Sequence, residues 1–206
     1  MNRDFLQRIA AAPLVFDGAM GTVIYQKGVF LNACYDELCL SRSSLVAEIH
    51  RDYVAAGADV IETNTFGANR VKLAEFGLAE KLPEINAAAV TLARREAGAA
   101  VLVAGACGPC SARGAGLAVL DAATIEAAFD EQVGLLAQAG ADLVVLETFH
   151  DADELLLAAH AARRHGLPVV ASVSPAALKK TPLETVLARL DASPDVDVVG
   201  LNCQYG

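Results

Sequence analysis

The stretch AGADLVVLET at residues 139–148 repeats, with small changes, the stretch AGADVIET at residues 56–63. Each consists of the end of a helical segment, a glycine that stops it, a short apolar strand and a Glu-Thr pair. The strands show no alternation of polar and apolar residues, which is typical of a parallel sheet covered by helices on its faces. The repeat therefore predicts consecutive βα units.

Four more apolar runs extend this pattern, and the six candidate strands cover residues 14–16, 60–61, 101–104, 143–146, 169–173 and 196–201. The segments between them have helical periodicity, with predicted caps at Asp151 and Thr181. The sequence lacks a glycine-rich nucleotide fingerprint, which favours a (β/α)8 TIM barrel over a doubly wound sheet. Because such a barrel needs eight strands and roughly 250 residues, we expect residues 1–206 to form one α/β domain with about six βα units of an incomplete barrel.

The composition restricts the possible partners and the location of the protein. Of the 206 residues, 54% are hydrophobic and the formal net charge is −9. A negative charge without basic runs argues against nucleic acid and against an anionic membrane surface as partners. The absence of a long apolar segment predicts a cytoplasmic protein without a membrane span. Five cysteines, an odd number, favour metal binding or ordinary packing over a disulfide framework.

Polar residues cluster where the candidate strands end. They are Asp17, Glu62, Thr63, Asn64, Glu147, Thr148, Ser174, Asn202 and Cys203. In a TIM barrel the carboxyl ends of the strands form the rim that carries the active site. We therefore expect these side chains to surround one mouth.

The amino-acid sequence at this rim resembles that of a known family. The segments DGAMGT at 17–22, ETNTFGAN at 62–69 and GLNC at 200–203, together with 143–148, resemble the homocysteine-binding domain of zinc-dependent homocysteine S-methyltransferases. Residues 59–86 are most similar to the methionine-synthase-like branch, which includes bifunctional proteins with a methylenetetrahydrofolate reductase half. The resemblance implies methyl transfer to the thiolate of homocysteine, giving methionine.

The resemblance also implies a zinc ion. In that family three cysteines hold the ion and the homocysteine sulfur is the fourth ligand, which deprotonates the thiol. Cys203 matches the first zinc ligand and is the predicted catalytic residue. The other two ligands are an adjacent cysteine pair that this sequence lacks, and we expect them beyond residue 206.

The methyl donor remains open between methyltetrahydrofolate, methylcobalamin and S-methylmethionine. A cobalamin or folate cofactor, and C-terminal reductase or folate/cobalamin domains, are accordingly expected of a full-length protein. The alternative is a non-catalytic or incomplete homocysteine-binding fragment without a functional zinc site.

The substrate-binding residues follow from charge and position. Asp17 and Glu147 are expected to hold the α-ammonium of homocysteine, because a cation needs carboxylate acceptors at fixed points. The N–H of Gly18 is expected to bind the substrate carboxylate. Thr63, Asn64 and Asn202 complete the predicted site. Asn64 and Glu62 could equally well form hydrogen bonds that support other side chains of the site. For Asn202, capping of its loop is an equal alternative.

The segment Cys107-Gly108-Pro109-Cys110 has the spacing of a redox or metal site. The residues that follow are typical of a loop, whereas a thioredoxin-type site needs a helix that starts at its first cysteine. We interpret the segment as a structural loop, with an auxiliary metal site and a redox role as alternatives.

Overall fold

Five parallel strands form one sheet in the computed structural model, which describes residues 3–111, 120–175, 178 and 181–203. The strands are β1 (Val60–Glu62), β2 (Leu102–Cys107), β3 (Leu143–Phe149), β4 (Val169–Val173) and β5 (Val198–Leu201), and they lie in sequence order. The helices are α1 (Arg3–Ala11), α2 (Met20–Gln26), α3 (Leu38–Ser41), α4 (Ser43–Ala55), α5 (Arg70–Glu75), α6 (Leu82–Ala97), α7 (Ala122–Ala139), α8 (Ala152–Arg164) and α9 (Leu183–Asp191), with a 3-10 turn at Ala79–Lys81.

Five of the six predicted strands are confirmed as strands, and the first is reduced to a single bridge. Phe16 pairs in parallel with Val60, and the flanking N–H groups of Asp59 and Asp17 donate to Val15 and Val60. The segment runs along β1, but Pro13 and Gly18 leave it too short for a ladder. Asp17 is nevertheless placed beside the end of β1, as the prediction required.

Apolar side chains cover both faces of the sheet, as the uninterrupted strands predict. Phe129 and Leu136 of α7 pack on one face, where Gly105 of β2 leaves room for Leu136; a Cβ there would lie 2.8 Å from its Cδ1. On the other face Phe5 of α1 is buried against Val60 and neighbouring strand residues. Full burial of one such aromatic side chain contributes about 1.5–3 kcal/mol.

The predicted helix starts have different outcomes. Asp151 caps α8, because its carboxylate accepts hydrogen bonds from the N–H groups of Asp153 and Glu154. The predicted cap at Thr181 is wrong. The extended backbone of Pro182 makes this residue the cap position, and α9 begins at Leu183 without a side-chain cap.

Three aspartates precede alternate strands at the amino ends of the sheet, and we call them the amino-end rim: Asp59, Asp142 and Asp197. Each carboxylate accepts a hydrogen bond from an N–H of the neighbouring strand or segment, at Val15 (2.9 Å), Val103 (2.8 Å) and Val169 (2.8 Å) respectively. Each also forms an ion pair with an arginine of a preceding helix, namely Arg8, Arg94 and Arg163. The rim therefore joins strands to helices through paired charges.

Candidate active site

A cavity of about 600 Å³ opens at the carboxyl ends of the strands, the end opposite to the amino-end rim. Its wall includes all the residues predicted from the sequence for the site: Asp17, Gly18, Thr63, Asn64, Glu147, Asn202 and Cys203. They come from the loop before α2 and from the ends of β1, β3 and β5. The parallel topology thus brings together residues that are up to 186 positions apart, from Asp17 to Cys203.

Four carboxyl groups line this cavity, those of Asp17, Asp36, Glu62 and Glu147, and none of its described lining residues is Lys, Arg or His. Burial, together with the nearby Glu147 carboxylate, raises the pKa of Asp17 to about 7. Burial also raises the pKa of Glu147, and it raises the pKa of Glu62 well above its usual range. A cation bound in this cavity would be stabilised by the carboxyl groups, which have no basic partner among the described lining residues.

A bulge at the end of β3 turns two consecutive side chains toward the cavity. The register between β3 and β4 shifts between Leu146 and Phe149. Thr148, within the bulge, has a φ of +62°, which a β-branched residue rarely adopts. Such a conformation costs about 1–3 kcal/mol and persists only where the surrounding structure holds it. The result is that Glu147 and Thr148 both line the cavity.

Asn202, which follows β5, holds this bulge. Its side-chain oxygen accepts the N–H of Thr148 (2.9 Å) and the hydroxyl of Ser172 (3.2 Å). Its amide group donates to Glu147 Oε2 (3.0 Å) and to Thr148 Oγ1 (2.7 Å). Asn202 therefore fixes the carboxylate of Glu147 and the strained backbone beside it.

Cys203 lies at the same mouth with an exposed side chain and a φ of +49°. The hydroxyl of Thr148 is 3.6 Å from its Sγ, and the hydroxyl of Ser174 donates to its backbone oxygen at 3.2 Å. Within the described residues no three His, Cys, Asp or Glu side chains are arranged to hold a metal ion. The described part of the chain offers one thiol ligand at the mouth and does not form a zinc site by itself.

The model of the family described as homocysteine S-methyltransferase matches residues 14–205. The chain belongs to this family. Methionine synthase from Mycobacterium leprae is 30% identical and that from Mycobacterium tuberculosis is 31% identical, and both alignments cover 100% of this chain. The chain spans only 19% of the length of each of these relatives.

Solved structures of the homocysteine methyltransferase MmuM from Escherichia coli share the fold. Its metallated form is 26% identical with a TM-score of 0.81, over 98% of this chain and 78% of that one. Its oxidized form is 29% identical with a TM-score of 0.80, over 92% and 73%. The predicted homocysteine S-methyltransferase family and TIM-barrel fold are thereby confirmed.

Two residues of the cavity that were predicted from the sequence, Thr63 and Asn64, already have internal partners. The hydroxyl of Thr63 is 2.6 Å from that of Thr65 and accepts the N–H of Ala106 at 3.1 Å. The amide of Asn64 donates to the backbone oxygen of Tyr35 at 2.7 Å. Both side chains are buried, and their contacts favour support of the cavity wall.

Tyr35 and Asp36 line the cavity although the sequence did not single them out. The carboxylate of Asp36 accepts the N–H of Gly67 at 2.9 Å, which ties the loop before α3 to the loop after β1. Burial raises the pKa of Asp36 to about 6. The only available signal was an acidic residue between two short helices, because this segment has no strand or helix periodicity.

Gly18 packs closely against Tyr53 of α4. A Cβ at this position would lie 2.8 Å from the hydroxyl oxygen of Tyr53, which itself donates to the backbone oxygen of Ala19 at 3.3 Å. Gly18 also lines the cavity, where it has no side chain to cover its backbone.

Cys107 and Cys110 are buried free thiols in the structure. Burial raises the pKa of both, that of Cys110 to about 12. The N–H groups of Cys110 and Ser111 donate to Glu154 Oε1 at 2.8 and 2.9 Å, which attaches this loop to α8. A protonated buried thiol is a poor nucleophile and metal ligand. This geometry supports the interpretation as a structural loop.

Proposed function

We propose that this chain forms the homocysteine-binding site of a zinc-dependent methyltransferase that produces methionine. The observation that carries the proposal is one cavity that combines four carboxyl groups, no basic lining residue among those described, and the exposed thiol of Cys203. A negatively charged cavity can bind the α-ammonium group of an amino acid. The Cys203 thiol lies at the mouth of the same cavity, where the sulfur of a bound homocysteine could come close to it.

In the proposed complex, Asp17 and Glu147 bind the α-ammonium of homocysteine and Gly18 donates its N–H to the α-carboxylate. Asn202 orients Glu147 through its 3.0 Å hydrogen bond, while Thr63 and Asn64 stabilise the wall behind the substrate. The side chain of homocysteine then extends toward Cys203. Its sulfur reaches the mouth, where a methyl donor has access.

Cys203 is proposed as one zinc ligand and as the catalytic residue. Two further cysteine ligands are expected beyond residue 206 of a longer protein. When bound, zinc lowers the pKa of a coordinated thiol and makes it a nucleophile at neutral pH. The chain's own contribution is to hold the ammonium at a fixed distance from this position.

For the methyl donor we propose methyltetrahydrofolate or methylcobalamin, in keeping with the methionine synthases among the relatives. S-methylmethionine is the third candidate. Folate- or cobalamin-binding domains, or a reductase domain, would then belong to the full-length protein. A cytoplasmic location remains part of this proposal; within the described residues no helix is long and apolar enough to cross a membrane.

The test uses the full-length protein with homocysteine and each donor in turn, with zinc content measured in parallel. Cys203→Ser is expected to abolish methionine formation and to lower zinc content. Cys34→Ser, at a free cysteine that does not line the cavity, is the matched control and is expected to keep both. Full activity of Cys203→Ser would contradict the proposal. A wild-type protein that binds homocysteine but neither zinc nor donor would instead support the non-catalytic alternative.

A further inference from the structure

Glu62 lies among the carboxyl groups of the cavity but has no part in the substrate contacts proposed above. Its side chain ends β1 and is partly buried. The titratable groups that face it are Asp17 before α2, Glu147 on β3 and Cys107 at the end of β2. With no basic residue among the described cavity lining, an ionised Glu62 would face two like charges and no counter-ion.

Glu62 and Glu147 line the same cavity, and their carboxyl groups are close enough to hydrogen-bond to each other. Ionised carboxylates only accept hydrogen bonds, so a hydrogen bond between these two groups needs a proton on one of them. Glu147 accepts from the amide of Asn202 at 3.0 Å and lies 3.4 Å from the hydroxyl of Thr148, and both contacts stabilise its charge. Within the described residues no N–H or O–H donates to the Glu62 carboxyl. The proton therefore belongs on Glu62.

We propose that Glu62 is a positioning residue that keeps its proton, donates a hydrogen bond to Glu147 and aims that carboxylate at the α-ammonium of the substrate. This inference rests on the proposed function. Asn202 and Glu62 then hold the Glu147 carboxylate through two different hydrogen bonds. Burial and the neighbouring carboxylates, which raise the pKa of Glu62, support the same protonation state.

A neutral Glu62 also lowers the negative charge next to Asp17 and Glu147. Three ionised carboxyl groups at Asp17, Glu62 and Glu147 would offer the oxygen ligands that hard divalent cations prefer. With Glu62 uncharged, Asp17 and Glu147 are the two of these three that remain to bind an ammonium group. This arrangement favours an α-ammonium over a divalent cation.

The kinetic test compares Glu62→Gln with Glu62→Ala in the full-length protein. Gln has the length of Glu, is uncharged and donates a hydrogen bond, so it reproduces the proposed state. Loss of a hydrogen bond to a charged group predicts that Glu62→Ala raises the KM for homocysteine by roughly tenfold to hundredfold, with a smaller effect on kcat. Glu62→Gln is expected to recover most of that loss. If Glu62 were an ionised ammonium ligand, Glu62→Gln would be as damaging as Glu62→Ala, and this result would overturn the inference.

A second measurement needs neither homocysteine nor turnover. Infrared spectra of the ligand-free wild type and of ligand-free Glu62→Gln are compared at a pH above the pKa values of Asp17 (about 7) and Asp36 (about 6). The carbonyl band of a protonated carboxyl group is expected in the wild type and is expected to disappear in Glu62→Gln. Its absence from the wild type would overturn the inference. If the band is present but homocysteine does not bind, the proposed function fails while the proton on Glu62 stands.

Discussion

Asp142 and Asp17 lie at opposite ends of the sheet, and each accepts a backbone N–H from the neighbouring strand, at 2.8 Å from Val103 and 3.0 Å from Glu62. Their surroundings differ in charge. Asp142 forms an ion pair with Arg94, whereas Asp17 faces Glu147 and no basic residue among those described at the cavity. The same local hydrogen bond thus belongs to a paired charge at one end and to an unpaired charge at the other.

This difference separates stability from function. The three ion pairs of the amino-end rim connect strands to helices in the free protein, and no ligand is needed to complete them. At the opposite end, burial and the neighbouring carboxylates raise the pKa values of Asp17 and Glu62, and the cation that would relieve them is the proposed substrate. TIM barrels in general show the same division: active sites lie at the carboxyl ends of the strands, and residues at the amino ends serve stability.

The largest expected effect is on substrate binding, from Glu147→Gln. Removal of one partner of a partly buried charge pair costs about 2–5 kcal/mol, so the KM for homocysteine should rise by about thirtyfold or more. The thermal midpoint should not fall, because burial raises the pKa of Glu147 and thus disfavours its charged form, which Gln lacks. Glu84→Gln, at an exposed position on α6, is the control. A KM within a few fold of wild type would remove Glu147 from the ammonium site.

The amino-end rim should show the reverse behaviour in Asp142→Ala. This change leaves the N–H of Val103 without its acceptor and removes the carboxylate partner of Arg94, which keeps only backbone oxygens as acceptors within the described residues. It is expected to cost about 2–3 kcal/mol in unfolding free energy. The KM for homocysteine should stay at the wild-type value, because Asp142 is remote from the cavity. Urea unfolding measures the effect, with the exposed Asp52→Ala of α4 as the control. Equal stability of the two variants would show that the rim contributes little.

A smaller effect is expected from pH on the binding of methionine, a ligand without a titrating thiol. Asp17 has a pKa of about 7, so it is protonated below that pH and loses the charge that attracts an ammonium. Affinity should therefore rise about tenfold per pH unit up to about pH 7 and level off above it. Calorimetric titration of wild type and Asp17→Asn measures this. Affinity that stays constant below pH 7 in the wild type would contradict the assignment.

The sequence predicted most of the strands and the residues of the site, but it did not predict that the first strand would be reduced to a bridge. Apolar runs without alternation located the strands, and the parallel order then placed Asp17, Glu147 and Cys203 at one mouth. The first strand became a bridge because Pro13 and Gly18 limit it, a limit that apolar periodicity does not express.

Contacts between distant segments were beyond the reach of the sequence. The approach of Glu62 to Glu147, the hydrogen bond between Asp36 and Gly67 and the bulge at Thr148 all depend on how separate strand ends meet. The repeated AGAD stretch was visible, but its pairing with arginines was not, because Arg8 and Arg94 precede their partners by 51 and 48 positions (59 − 8 and 142 − 94).

The central claim is that charge stabilises one end of the sheet and destabilises the other. It is tested most directly by the unfolding free energies of Asp142→Asn and Asp17→Asn at about pH 8, because Asn keeps the backbone acceptor and removes only the charge. Asp142→Asn is expected to be less stable than wild type by about 1–2 kcal/mol. Asp17→Asn, which removes a carboxylate whose pKa is raised in the folded state, is expected to be more stable by about 1–3 kcal/mol. A loss of stability in Asp17→Asn as large as that in Asp142→Asn would contradict the account.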